Sequence, residues 1–366
     1  MLTANTGLMP GGWAVSVSLS KRWAQEGYIA GTYFDGYSYF LSVDKKLNAR
    51  HSLNLTFFGA PTKRGRASDT FQEMYDLAGT NFYNPSWGYW NGKKRNVLTD
   101  DTHQPTAILR YDFALSPQSA LTIVAYGQTG HRNGTRGNFI NGLNPSPDYN
   151  RRLPSSLLDS SQAALWAEML ASDESLRQTD WAAIYESNQN STETITDAEG
   201  QAGNTVTGKK SIYIIANERT DNKELGTNIM FSHTFSPRVV LNAGAQYQWY
   251  KGGNFKVVDD LLGGDYWVDW DFIGNFDGQT NPLARNSDIR IPNNIVFEGE
   301  KFGWDYDENI RKSNAWAQLQ FSLPVFQFFI GGEAGSSSMW RTGNMQNGRF
   351  PNNSLGDSEK LSFTTY

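Results

Sequence analysis

The chain of 366 residues contains no cysteine and only four histidines, His51, His103, His131 and His233. Without thiols, a disulfide framework and thiolate zinc sites are excluded. No two of the histidines stand at metal-ligand spacing on one predicted element. The sequence therefore predicts no metal site built on histidine or cysteine.

Long apolar runs are also missing. Mean hydropathy is −0.54, and no segment approaches the ~18 consecutive apolar residues of a membrane-spanning helix. A helical membrane protein is thereby excluded. A transmembrane β-barrel is not, because its strands alternate apolar and polar residues and their average hydropathy resembles that of a water-soluble protein.

Basic stripes and enzyme motifs are absent too. The net charge is −5, which argues against a nucleic-acid partner. The segment 203–209 approaches a phosphate-binding P-loop, but Lys210 stands where a serine or threonine should hold Mg²⁺. No Gly-x-Ser-x-Gly sequence occurs. The sequence predicts neither an enzyme nor a cofactor site.

What is present is period-two alternation, which predicts β-strands with one apolar and one polar face. It runs through residues 13–20, 52–57, 109–113, 239–249 and 315–321. About ten strands of roughly ten or more residues are expected, the length that a tilted strand needs to cross a bilayer. Polar positions such as Asn54, Arg110, Gln246, Gln248 and Gln318 are then predicted to line the lumen.

The connections alternate in length. Short ones lie at residues 45–50, 116–119, 236–238 and 323–324, and long ones near 60–103, 132–221, 251–308 and 342–357. A brief connection near 25–27 is the exception. Alternate turns of an antiparallel barrel lie on opposite rims, so short turns gather at one rim and long loops at the other. This pattern is typical of outer-membrane barrels, with short periplasmic turns and long extracellular loops.

One long loop carries short helices in this prediction. Residues 161–170 form the first, and residues 180–185 form the second with Thr179 as its N-cap. The polar stretch 187–211 is expected to be mobile. The fold class is thus all-β: an antiparallel transmembrane barrel segment of about ten strands with long extracellular loops.

Aromatic residues cluster in two places. Those near strand ends are predicted to form interfacial girdles: Trp13, Trp23, Tyr247, Trp249, Tyr250, Phe326 and Trp340. Those in the long loops are candidate substrate contacts, because flat rings stack on ligands while polar neighbours donate hydrogen bonds: Trp87, Tyr89, Trp90, Trp267 and Trp270. The alternative is that these loop rings pack the loops onto one another.

One acidic loop is a candidate calcium site. It contains Asp259, Asp260, Asp265, Asp269, Asp271 and Asp277. Residues 305–316 begin like a calcium-binding loop but lack glycine at position six and glutamate at position twelve. A solvated acidic loop is the favoured interpretation, and no metal is predicted.

Four segments resemble TonB-dependent outer-membrane receptors of the Bacteroidetes type. They are the strand–turn–strand unit 37–61 and the loop segments 260–267, 302–307 and 343–349. The resemblance implies a barrel of about 22 strands, closed by an N-terminal plug, that imports a nutrient with inner-membrane energy. It also implies the expected partners: outer-membrane lipid, the energising TonB complex acting through the plug region, a surface lipoprotein, and a small-molecule, glycan or peptide substrate.

Under this interpretation the whole chain, residues 1–366, is one partial transmembrane barrel in a Gram-negative outer membrane. Residues 1–5 lack a signal-peptide pattern and residues 362–366 fall within a predicted strand, so both ends are expected to be cut, with the plug and the remaining strands outside this sequence. Two alternatives stay open. One is a passive porin or adhesin-type barrel, and the other is a secreted carbohydrate-binding β-protein.

Overall fold

The computed structural model describes residues 1–277 and 281–366, and its main feature is one antiparallel meander of eleven strands. Each strand pairs with the next along the chain. In order they are β1 (Leu2–Asn5), β2 (Trp13–Ala24), β3 (Phe34–Lys46), β4 (His51–Gly59), β5 (Thr106–Ser116), β6 (Ser119–Phe139), β7 (Tyr213–Ser236), β8 (Val239–Asp260), β9 (Lys301–Ser322), β10 (Gln327–Gly343) and β11 (Leu361–Thr365). The all-β prediction is confirmed.

The strand register gives the sheet two different faces. Leu53 pairs with Tyr111 and Leu55 with Leu109, whereas Asn54 pairs with Arg110. The same separation continues across the sheet, because cross-strand partners point to the same side. One face is therefore apolar and is called the outer face below. The other, here called the inner face, carries the polar residues.

Loop lengths separate by rim as the sequence predicts. The connections at one rim are residues 6–12, 47–50, 117–118, 237–238 and 323–326. Those at the opposite rim are residues 25–33, 60–105, 140–212, 261–300 and 344–360.

The predicted loop boundaries were wrong by up to ten residues. Four strands continue well beyond the apolar belt, by which we mean the part of the sheet next to the short turns, where the residues on the outer face are apolar. Strands β6 to β9 contain 21, 24, 22 and 22 residues, whereas about 9–11 suffice to cross a bilayer. Above the belt, polar residues occupy both faces, so the alternation that marks the lower part of each strand disappears. These strands project roughly 30 Å past the belt.

Shorter elements fill the long connections. Four α-helices are present in the described residues: α1 (Gln72–Ala78), α2 (Ser160–Ser172), α3 (Trp181–Gln189) and α4 (Phe272–Asp277). Single 3₁₀ turns lie at Asn150–Arg152, Pro154–Ser156, Glu174–Arg177 and Ala198–Gly200. Short strands lie at Thr62–Gly65, Trp87–Trp90, Lys93–Asn96, Thr99–His103, Thr192–Thr196, Thr205–Lys209, Trp267–Val268, Ile295–Val296 and Gly356–Asp357.

Both predicted loop helices are confirmed, with one correction to a cap. Helix α3 is capped by Asp180, whose carboxylate accepts the Ala183 N–H at 2.9 Å. The hydroxyl of Thr179 instead donates to the Pro85 carbonyl at 3.0 Å. The segment expected to be mobile contains a regular hairpin, in which Thr192–Thr196 pairs with Thr205–Lys209.

The aromatic rings at the strand ends mostly lie on the outer face. Trp13 and Trp23 are 45% and 69% exposed, and each stands on the same face as Val15 and Val17. Tyr250 is the exception: it pairs with Glu224 and Ile310 on the inner face, so its assignment to the girdle was wrong. Among residues 1–277 and 281–366, no helix is long and apolar enough to span a membrane.

Candidate substrate-binding loops

The buried apolar core of this chain lies in the long loops and the projecting strand ends. One cluster packs on the inner face of the projecting strands and contains Ile140, Ile214, Ala216, Val258, Leu261, Trp267, Val296 and Phe302. A second packs on the opposite face, where helix α3 covers Ile215 with Trp181 and Ile184. Because Ile214 and Ile215 are neighbours on β7, their side chains point to opposite faces, and the loops enclose the strand ends from both sides.

The hairpin Trp87–Trp90/Lys93–Asn96 holds three of the five rings predicted to bind substrate. Trp87 is 3% exposed, and the ammonium group of Lys94 lies 4.6 Å from its ring centroid. Trp90 stacks on Tyr185 with ring centroids 4.1 Å apart. Tyr89 alone of the three is exposed, at 56%. The hairpin therefore buries Trp87, leaves the stacked ring of Trp90 partly exposed and offers Tyr89 to solvent.

The other two rings lie in the 261–300 loop. Trp267 is 1% exposed and packs edge-to-face on Phe302. Trp270 is partly exposed, with the Arg285 guanidinium 4.6 Å and the Lys210 ammonium 5.1 Å from its ring centroid. These cations hold the indole by cation–π attraction. The structure thus separates the five predicted rings between two loops.

Arg95 is a cross-link that the sequence analysis missed. Its guanidinium lies 4.4 Å from the Trp181 ring centroid, donates to the Tyr185 hydroxyl at 2.9 Å and pairs with the Asp260 carboxylate at 2.6 Å. It therefore joins the 60–105 loop to helix α3 and to the end of β8. An arginine in a charged segment, Lys93–Asn96, gives no local sign of such contacts.

Asn188 is a second missed cross-link, fully buried near the end of α3. Its side-chain nitrogen donates to the carbonyls of Tyr213, Leu261 and Leu262, at 2.8, 2.9 and 3.1 Å. Its side-chain oxygen accepts the N–H groups of Ile212 and Tyr213. One amide thus forms hydrogen bonds to backbone groups from two loops. These bonds offset the cost of burying its polar atoms.

A mainly apolar cavity of about 190 Å³ lies between these loops. Its wall includes Val97, Trp181, Ile184, Tyr213 and Leu262, with Thr179 and Asn138 among its polar groups. None of the five predicted rings lines it. Because its lining comes from seven separate stretches of chain between Pro85 and Leu262, spacing in the sequence could not reveal it.

The acidic loop contains one carboxylate that is not solvated. Asp269 is 2% exposed, and its Oδ1 accepts the Gly303 N–H at 2.9 Å. Burial raises the pKa of Asp269 to about 6, opposed by the nearby Ser287 hydroxyl, the Gly303 N–H and the charge of Lys256. Burial in turn lowers the pKa of Lys256. Asp269 is therefore an exception to the prediction that this acidic loop is solvated.

Within the described part of the chain, no three histidine or acidic residues are arranged to hold a metal ion. Asp265 and Asp259 are exposed, and Asp260 pairs with Arg95. The side chain of Asp277 lies outside the described residues. The calcium alternative therefore gains no support from the acidic residues that the structure describes.

The inner face below the loops is polar and internally bonded. Arg110 pairs with Asp112 at 2.8 Å, and Asn54 donates to Asp44 at 2.9 Å. Further along the sheet, Gln248 donates to Glu224 at 2.7 Å. The predicted lumen-lining residues Asn54, Arg110, Gln246, Gln248 and Gln318 all share this face.

Comparison with known proteins gives a likeness in structure only. No protein-family model and no curated protein sequence matches the chain. The ferric citrate transporter FecA, in its unliganded form, superposes with a TM-score of 0.58 at 8% identity, over 99% of this chain and 37% of FecA. The siderophore receptor PiuA from Acinetobacter baumannii gives 0.54 at 8%, over 99% and 43%. The closed form of the ferric-catecholate import receptor Fiu from E. coli K12 gives 0.53 at 9%, over 99% and 44%.

The likeness at this identity establishes the fold. The chain shares the fold of these three structures, and it spans less than half the length of each. The three proteins are a transporter and two receptors.

Proposed function

We propose that the chain forms part of the transmembrane barrel of a TonB-dependent, Bacteroidetes-type receptor in the outer membrane of a Gram-negative cell. This receptor imports a nutrient with energy from the inner membrane. The observation that carries the proposal is the asymmetry of the two rims. One rim has turns of a few residues, while the other supports loops with their own buried core. A passive porin needs no such folded layer to let solutes pass.

Substrate capture is assigned to the loop surface. Tyr89 presents an exposed ring, and Trp90 and Trp270 present partly exposed ones. Trp87 and Trp267 support this surface from beneath, so they affect binding through loop order. The substrate is a small molecule, a glycan or a peptide, and it then passes along the inner face, whose polar groups replace water contacts during transit.

The remaining partners follow from the same proposal. Lipid contacts the outer face, because its apolar side chains can meet the hydrocarbon layer, where charged side chains would be costly. The energising TonB complex acts through the plug region of the whole receptor, and a surface lipoprotein cooperates at the loops. Neither a nucleic acid nor a cofactor takes part.

Sidedness is the first test. A short epitope tag is inserted at Gly203, where the structure leaves open space, and in a second variant after Pro237 in a short turn. In intact cells an antibody should label only the Gly203 tag, and permeabilisation should expose the other. Labelling of both tags in intact cells, or of the Pro237 tag alone, would contradict the proposed orientation.

Energy coupling and the capture site are tested together by growth on a panel of iron chelates, glycans and peptides. The wild-type receptor should support growth on one of them only when the inner-membrane complex is present. Tyr89→Ala should raise the concentration needed for half-maximal growth about tenfold, the scale of one lost aromatic contact. Tyr28→Ala, a change at a 97% exposed ring in the 25–33 connection, is the matched control and should have no effect. Growth that is independent of the complex would instead identify a passive barrel.

A further inference from the structure

Four side chains form a basic aromatic cluster on the outer face of the sheet, where β8, β9 and β10 lie side by side. Its members are Trp249, Arg311, Trp340 and Lys360. The Arg311 guanidinium lies 4.9 Å from the Trp249 ring centroid and 5.1 Å from that of Trp340. The Lys360 ammonium lies 5.1 Å from the Trp340 centroid. Arg311 thus contacts both indoles, and Lys360 contacts one of them.

The strand register places this cluster at a defined depth. Trp249 pairs with Arg311, and Val239 beside the short turn pairs with Phe321. The segment Val239–Trp249 therefore contains eleven residues, as does Arg311–Phe321. A tilted strand needs about 9–11 residues to cross the hydrocarbon layer. The cluster accordingly lies at the headgroup level on the side of the long loops, where tryptophan is favoured.

Arg311 is held in position but keeps free donors. Its Nη1 donates to the carbonyls of Tyr250 and Ile310, at 3.0 and 2.8 Å. Among the side chains that the structure describes, no carboxylate forms an ion pair with it, although Lys251 nearby pairs with Asp307 at 2.9 Å. A guanidinium fixed between two rings, with its Nε and Nη2 groups unbonded, is ready to bind a phosphate through two parallel hydrogen bonds.

Other charges on this face strengthen the case. Lys223 is exposed and pairs in register with Lys251, and no ion pair to Lys223 is formed in the described part of the chain. The patch therefore carries more positive than negative charge where lipid headgroups would lie. Each basic residue near an anionic membrane surface adds attraction.

We propose that the cluster of Trp249, Arg311, Trp340 and Lys360 binds the phosphate of a phosphorylated glycolipid in the outer leaflet. The sugar of the headgroup would lie against the indoles, and the acyl chains would follow the apolar outer face toward the short turns. The inference rests on the proposed function, since this face must meet the outer leaflet for the lipid to reach it.

The test uses the full-length receptor in detergent and native mass spectrometry with lipid A as the probe. Arg311→Gln should weaken lipid A binding about tenfold, the scale of a lost charge-assisted pair of hydrogen bonds. Arg311→Lys should fall between, because it keeps the charge without the planar fork. The control is Arg219→Gln, on the same face but farther from the belt and paired with Asp221 at 3.0 Å. It should bind as the wild type does.

Three results would overturn the proposal. They are equal binding by the wild type and Arg311→Gln, equal binding of lipid A and its phosphate-free form, and displacement of lipid A by an equal concentration of inorganic phosphate, which would identify a site for free phosphate. Heat-dependent gel mobility confirms that each variant is folded. If the Gly203 tag is labelled on intact cells while lipid A binding ignores Arg311, the lipid site fails and the proposed function stands.

Discussion

Asp269 gives a pH dependence whose sign and size can be worked out. Its carboxyl is buried in the 261–300 loop, and burial raises its pKa from the ordinary value of 3.8 to about 6. In the unfolded loop the group would titrate near 3.8. The folded loop therefore binds the proton more tightly, and its stability rises as the pH falls from above 6 toward 4.

The magnitude follows from the shift. About two pKa units at 1.36 kcal/mol each make the ionised carboxylate unfavourable by about 3 kcal/mol at pH 7.5. Asp269→Asn removes this penalty and keeps the oxygen that accepts the Gly303 N–H. Its new NH₂ group needs an acceptor, which offsets about 1 kcal/mol. The variant loop should therefore be about 2 kcal/mol more stable than the wild type at pH 7.5 and about 0.5 kcal/mol less stable near pH 4, where the wild-type carboxyl is mostly protonated.

Hydrogen–deuterium exchange of the full-length receptor measures the stability of this loop directly. After correction for intrinsic rates, protection of residues 265–274 and 295–305 in the wild type should fall between pH 5 and 7.5. In Asp269→Asn it should stay constant. Asp259→Asn, a change at an exposed carboxylate of the same segment, should behave as the wild type does. If Asp269→Asn keeps the wild-type pH dependence, burial of this carboxyl is not its cause.

Two further predictions concern loop packing. Asn188→Ala removes five hydrogen bonds to backbone groups and should lower the stability of the folded loops by on the order of 3 kcal/mol. Faster proteolysis would report this loss, and Asn190→Ala, a change at an exposed position, should leave the rate of proteolysis unchanged. Gly31→Ala should destabilise by about 3 kcal/mol, because φ is +76° and a Cβ would overlap the Trp87 ring. Gly203→Ala, at φ +78° in open space, isolates the backbone strain alone at about 1 kcal/mol. Equal proteolysis of the two glycine variants would contradict the proposed contact.

The alternating part of the sheet could be predicted from the sequence because its two faces differ strictly in polarity. Leu53, Leu55 and Phe57 alternate with polar residues, which is the pattern expected where one face of a barrel meets lipid and the other lines the lumen. Above the belt this constraint ends. Ile214 and Ile215 are adjacent, and both are buried, in different clusters. Two adjacent apolar residues do not fit the alternation of apolar and polar residues by which a strand is recognised. Strand ends were therefore placed too early.

The loop rings show a second limit of the same kind. Trp87 and Tyr89 stand two residues apart in the same aromatic segment, and they are 3% and 56% exposed. Composition cannot separate them, because the difference arises from what covers Trp87: the chain at Gly31 and the side chain of Lys94. Both contacts come from outside the immediate segment. The prediction that such rings bind substrate stays open for Tyr89 and depends on loop order for Trp87.

The position of the buried core bears on how such a receptor would work. The sheet below the loops buries few side chains within this chain, since its apolar face is exposed and its polar face is an open wall. The loops, by contrast, are held by apolar clusters and by polar cross-links at Arg95, which is partly exposed, and at Asn188, which is fully buried. A layer fixed in this way can keep a binding surface ordered before substrate arrives, which lowers the entropy lost on binding. Substitutions in the loop core should therefore weaken substrate capture even where the altered residue never touches the substrate.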